Sequence, residues 1–196
     1  MLPNKPTTFI DELVAAGRGL AAIVTGDRRS ASYFDFSLRG LAGSFVAILV
    51  ATAFSAYVPI VTGGGNASRL PTGGWVLLEL FLLAVQIGFS ALVLRQLNRM
   101  DGLVPYLVAH NWANFFLSVV STLLNIFGLT SDFVVLIIGV LMIAIEINIA
   151  RLIVTLNPWQ IAMFLIAQIV GVICGLILLI LFVPLPADML TPITGG

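Results

Sequence analysis

WQIAMFLIAQIVGVICGLILLILFV, running from Trp159 to Val183, contains no charged side chain and exceeds the ~20 apolar residues that carry a helix across about 30 Å of hydrocarbon. Four stretches of the same kind precede it, at residues 40–61, 74–94, 104–127 and 132–150. They are apolar throughout instead of alternating with polar residues, so they predict helices and not the strands of a barrel. Composition agrees: 60% of the 196 residues are hydrophobic and 9% are charged, where soluble domains carry about 25% charged residues. The predicted fold is all-α, a polytopic integral membrane bundle of five transmembrane helices led by an N-terminal amphipathic helix. Its expected segments are a cytoplasmic lead at 1–39, a five-helix transmembrane domain at 40–183 and a short outer tail at 184–196.

The lead has its own pattern. Thr8 stands three residues before Asp11, a capping-box variant at a helix start. Phe9, Leu13, Ala16 and Leu20 then follow 4, 3, 4 spacing, flanked by Ile10, Val14, Gly17, Ala21 and Val24, while Asp11, Glu12 and Arg18 take the remaining surface. Such a helix lies in the membrane interface or caps the end of the bundle. Asp11, Glu12 and Arg18 also interrupt the place where the apolar core of a cleavable signal peptide would lie.

Connections between spans are short. Thr62 to Thr72 holds Gly63-Gly64-Gly65, Gly128 to Ser131 is a tight turn, Asn157-Pro158 ends the fourth connection, and Pro184 and Pro186 stop the last helix. Lys5, Arg18, Arg28, Arg29, Arg39, Arg95, Arg99 and Arg151 fall on one side of the membrane and only Arg69 on the other. That asymmetry places the N-terminus in the cytoplasm and the C-terminus outside. Asn66-Ala67-Ser68 on the outer side matches a glycosylation acceptor, a triplet common by chance.

Formal charge is zero, so no basic field exists to collect nucleic acid. Cys174 is the single cysteine and reads as a packing residue. One His, one Cys and scattered carboxylates on different spans do not make a metal site, no cofactor motif occurs, and none of the nucleophile or metalloprotease spacings is present. No catalytic residue is expected.

In lipid, small residues let helix backbones approach closely. Gly43, Ala47, Ala51 and Ser55 form such a ridge on the first span, Ala167, Gly171 and Gly175 on the fifth, and Ala84 with Gly88 a shorter one on the second. They predict packing within one chain.

Polar residues inside spans are functional candidates by default. Glu79 lies about 7 Å into the second span at 1.5 Å per residue, with Gln86 on the same face. Glu146 precedes Asn148 and Arg151 in the fourth, and His110 stands beside Asn111 in the third. On the third span Asn111, Asn114, Ser118, Ser121 and Asn125 follow 3, 4, 3, 4 spacing, a single stripe. Three amides facing lipid would lack partners, so the stripe must face inward. Two roles are open to it, interhelical hydrogen bonding or the wall of a wet crevice beginning near His110 at the cytoplasmic side. The ability of Ser to bond its own helix's carbonyls favours the first.

The layout resembles the Yip family of Ypt/Rab-interacting membrane proteins, in particular its short bacterial members. The features that carry the likeness are the amphipathic lead from Phe9 to Val24, the Gly-rich outer loop and the approach Leu103-Val104-Pro105-Tyr106-Leu107-Val108-Ala109. The Asn157-Pro158-Trp159 turn into a Gly-containing last helix completes it. The resemblance implies a five-helix fold without catalytic residues, in a bacterial inner membrane. The expected function is then non-enzymatic: organising the lipid bilayer or binding a membrane-protein partner through the N-terminal segment. The competing expectation is a small transporter or channel component using Glu79, Glu146 and the polar face of the third helix.

Overall fold

The computed structural model describes residues 8–61, 72–129 and 131–182. They form α1 (Phe9–Val24), α2 (Leu38–Val61), α3 (Thr72–Gln96), α4 (Leu103–Ile126), α5 (Asp132–Asn148) and α6 (Pro158–Phe182). Helices α2 to α6 are each long and apolar enough to cross a membrane, and their bounds fall within two residues of the predicted spans. This is a multi-pass membrane protein. The glycine turn at 63–65, Arg69, the Asn66 triplet and the segment 184–196 with Pro184 and Pro186 lie outside the described residues.

Local chemistry sets the helix starts. Thr8 accepts from the Asp11 N–H at 3.2 Å and its own N–H donates to Asp11 Oδ2 at 3.2 Å, the expected capping box. Ser131 caps α5 through the Val134 N–H. Asn157 and Gln160 exchange side-chain to backbone bonds at 2.9 and 3.0 Å around Pro158, whose missing N–H costs nothing at the first helical position. Helix α4 ends at Gly128, which takes φ +69.

Helix α5 closes in a π-helical turn, Ile149–Ile153, and Thr155 beyond it adopts φ 58, an unusual conformation for a β-branched residue. Arg99, between α3 and α4, clamps it. The guanidinium donates to the carbonyls of Val154 and Thr155 and to Thr155 Oγ1 at 2.5, 3.1 and 2.7 Å.

The five spanning helices alternate in direction, so the start of α4 and the ends of α3 and α5 meet at the end carrying α1. There Ile23, Leu94, Tyr106, Ile149 and Phe164 form the main buried cluster. Outward faces of the bundle are aliphatic, with Leu136, Ile143, Ile166 and Leu181 exposed as lipid-facing side chains should be.

The small-residue ridges pack inside the chain where they meet a neighbour. Helix α2 lies chiefly against α4 and α3 against α6. Ala47 and Ala51 are fully buried, and Ser55 shares a 3.1 Å bond with Thr122 of α4. A Cβ on Gly171 would stand 2.8 Å from the Phe89 ring, and one on Gly175 3.0 Å from Leu82. Ala167 lies beside the main cluster. The Ala84 and Gly88 pair departs from expectation: Ala84 is exposed and a Cβ on Gly88 would meet open space. Helix α3 turns the bulkier Leu82, Val85 and Phe89 to α6 instead.

Helix α1 is both cap and outward face, rotated from the expected stripe. Its buried residues include Glu12, Ala16, Gly19 and Ile23, because their small or slender side chains let it lie on the bundle. Gly19 sits under the Phe34 ring, Gly17 against Phe116, and Phe9 beside Trp112 with ring centroids 5.8 Å apart. Glu12, expected on the polar surface, is buried against Gly43 of α2. Ile10, Val14 and Val24 stay exposed. Asn148 of α5 ties the helix down by donating to the Ile23 carbonyl at 2.8 Å.

Candidate functional site

Helix α4 carries the polar centre of the molecule. At 3.6 residues per turn, Tyr106, His110 and Asn114 stack on one face. Asn114 Nδ2 donates to His110 Nε2 at 2.8 Å and to the His110 carbonyl at 3.1 Å. The two ring nitrogens of His110 thus have separate partners, Nε2 facing Asn114 and Nδ1 facing Glu146. Nδ1 pairs with Glu146 Oε1 of α5 at 2.5 Å.

Tyr106 Oη stands 3.3 Å from His110 Nδ1 and donates to Glu146 Oε2 at 3.3 Å. Gln168 of α6 donates to Tyr106 Oη at 2.6 Å and to Ser90 Oγ of α3 at 2.9 Å, and Ser90 donates to the Gln86 carbonyl at 2.7 Å. Side chains of four helices thereby join one network, and the part-buried Glu146 carboxylate meets both Tyr106 and His110. Tyr106 and His110 are almost wholly enclosed, and Phe164 packs edge-on to the Tyr106 ring.

The rest of the α4 stripe divides. Asn111 is fully buried and donates to Ser44 Oγ of α2 at 3.1 Å, while Ser44 donates to the Leu41 carbonyl. Asn111 therefore serves as interhelical glue. Asn114, Ser118, Ser121 and Asn125 instead line a cleft of about 450 Å³, together with Ser55 and Thr122 and with Glu79 of α3 opposite. The cleft occupies the half of the bundle away from α1. A crevice starting near His110 at the arginine-rich side does not form, because Tyr106, Leu107, Val108, Ala109 and His110 are buried there. Asn114 is the floor of the cleft and the link from it to His110 and Glu146.

Gln86 is not among the residues lining the cleft; its carbonyl serves Ser90. Asn148 holds α1. Tyr106, Ser90 and Gln168 belong to the network, and Ser44 to the separate Asn111 contact, without having been singled out as candidates in the sequence. Tyr106 carried a signal, one turn before His110, whereas Gln168 and Ser90 depend on how α3 and α6 pack. Among the described residues no three His, Cys, Asp or Glu side chains come together to hold a metal.

Compared with models of protein families, with curated proteins and with solved structures, the chain matches none of them.

Proposed function

We propose that this is a non-enzymatic membrane protein through which a small polar solute enters the bundle, a transporter or channel component. The cleft carries the reading. A polar wall along α4 leads from Glu79 inward to Asn114, and Asn114 touches a buried His110–Glu146 pair. Ionisable groups inside spans are costly and mark pathways by default. The orientation proposed from the arginines puts α1 in the cytoplasm of a bacterial cell and the cleft mouth outside. Flux of a mixed panel of labelled amines, amino acids and sugars into proteoliposomes tests the reading. Transport of at least one solute, lost when Ser118→Leu and Ser121→Leu fill the cleft, is expected; no flux of any solute sinks it.

A second reading follows the Yip resemblance: a membrane-organising or partner-binding protein acting through α1. Exposed Ile10, Val14 and Val24 beside the exposed Arg18 favour it, since an aliphatic face flanked by a cation suits an anionic lipid surface or a membrane partner. Ile10→Ser with Val14→Ser would abolish recruitment while leaving the buried face of α1 intact. Unchanged recruitment removes this reading.

A further inference from the structure

The chemistry of the cleft is one-sided. Its walls offer the Glu79 carboxylate and the oxygens of Ser118, Ser121, Asn125 and Ser55, with no Lys, Arg or His among its lining residues. Asp132 opens α5 at the same end of the bundle, whereas Arg18 to Arg39, Arg95, Arg99 and Arg151 belong to the other. Beneath the floor, His110 and Glu146 stand 2.5 Å apart, outside the residues that line the cleft. Glu79 is the one ionisable side chain among the lining residues, and a cleft whose only such group is a carboxylate favours a cation over an anion.

Its apolar wall narrows the choice. Ile138 and Met142 of α5 and Leu117 of α4 also line the cleft, and no aromatic ring lines it. Quaternary ammonium groups are held by aromatic cages, whereas a primary ammonium needs three acceptors for its N–H groups and an aliphatic wall for its chain. About 450 Å³ is within the ~300–1,000 Å³ of small-molecule sites.

We propose that the cleft is a binding site for primary alkylammonium ions, with Glu79 as counter-ion, the α4 hydroxyl and amide oxygens as acceptors, and Leu117, Ile138 and Met142 against the alkyl chain. This names the solute class for the transport reading above and rests on the cleft being open to solutes. Glu146, already bonded by His110 and Tyr106, is not among the residues lining the cleft.

Equilibrium binding of hexylammonium, hexanoate, hexanol and tetramethylammonium to the full chain in lipid nanodiscs tests it. Hexylammonium should bind saturably and at least about tenfold more tightly than the other three. Glu79→Gln should lose roughly that factor, as removal of a charge partner does, and Glu79→Asp should keep most of it. Ser121→Leu, which fills the cleft and leaves the carboxylate, should also abolish binding. Helical circular dichroism and monodisperse elution establish that each variant is folded. Equal binding of hexanol and hexylammonium, or a folded Glu79→Gln that binds unchanged, overturns the proposal. Selective ammonium binding without flux upholds it while the transport reading fails. Flux of neutral or anionic solutes without ammonium selectivity overturns it and leaves transport standing.

Discussion

The Asn114 amide nitrogen stands 2.8 Å from His110 Nε2, while Nδ1 on the other side of the same ring meets Glu146. Asn114 is also the floor of the cleft. A solute reaching the floor therefore meets the same amide that bonds His110.

The pair beneath should behave as a coupled unit. His110→Phe or Glu146→Leu alone leaves the other member buried without its partner, at about 1–3 kcal/mol, whereas the double substitution removes both. Steric-trap unfolding in bicelles should give a coupling of about 0.5–3 kcal/mol between the two. Tyr106→Phe, which removes one of the two acceptors of the Gln168 amide and a donor to Glu146, should cost about 1–2 kcal/mol. Strict additivity of the His110 and Glu146 substitutions would show that the bond contributes nothing.

Span positions were legible because hydropathy reports solvent, and in lipid the solvent defines the element. The Thr8 and Asp11 cap was legible because it is local. The pairing of His110 with Glu146 was not, since it depends on the register in which α4 and α5 pack. Amphipathicity misplaced Glu12 for a related reason: Ala16 and Gly19 are weakly hydrophobic, yet their size makes them the closest contact between α1 and its neighbours. The stripe of α4 was legible as inward-facing, but not its division into glue at Asn111 and cleft wall beyond Asn114, because Ser44 and Glu79 come from other helices.

Glu12 makes the docking of α1 sensitive to pH. Burial raises its carboxyl above the ordinary 4.5, and Asp35 raises it further, against smaller lowering effects of the Trp112 hydrogen bond and Arg39. An undocked Glu12 releases its proton near 4.5, the docked one at higher pH, so the docked state binds more protons between those values. Docking therefore strengthens as pH falls through the raised value and is fully strengthened below 4.5. Intrinsic-rate-corrected hydrogen exchange of residues 9–24 should show more protection at pH 5 than at pH 7.5. Glu12→Gln should raise protection at pH 7.5 and flatten the dependence, whereas weaker protection on acidification would contradict the assignment.

Two glycines on facing helices should respond oppositely to the same methyl group. On Gly171 the added Cβ meets the Phe89 ring at 2.8 Å, so Gly171→Ala must separate α6 from α3 or displace the ring, at about 1–3 kcal/mol. Gly88→Ala enters open space and gains backbone rigidity, a stabilisation of up to about 1 kcal/mol. Thermal unfolding in the same detergent should order the variants Gly88→Ala, parent, Gly171→Ala from most to least stable.

Arg18, Arg28, Arg29, Arg39, Arg95, Arg99 and Arg151 share the α1 end of the bundle, which predicts that this end is cytoplasmic. Alkaline phosphatase fused after Phe127 should be active, and fusions after Arg99 and Leu156 inactive. The reverse pattern would invert the bundle and open the cleft to the cytoplasm.

Single cysteines at positions 111, 114, 118, 121 and 125 in a Cys174→Ala background read the cleft directly. Asn125 is exposed and Ser118 and Ser121 are partly so, while Asn111 is wholly buried and bonded to Ser44. A water-soluble thiol reagent added on the side opposite α1 should therefore label position 125 fastest, then 121 and 118. Position 114 should react slowly at the floor, and position 111 not at all. Unlike a dry helix interface, which would protect all five, this gradient requires water in the cleft. Labelling that instead begins at 111 from the α1 side would put the opening beside His110 and remove Glu79 from its mouth.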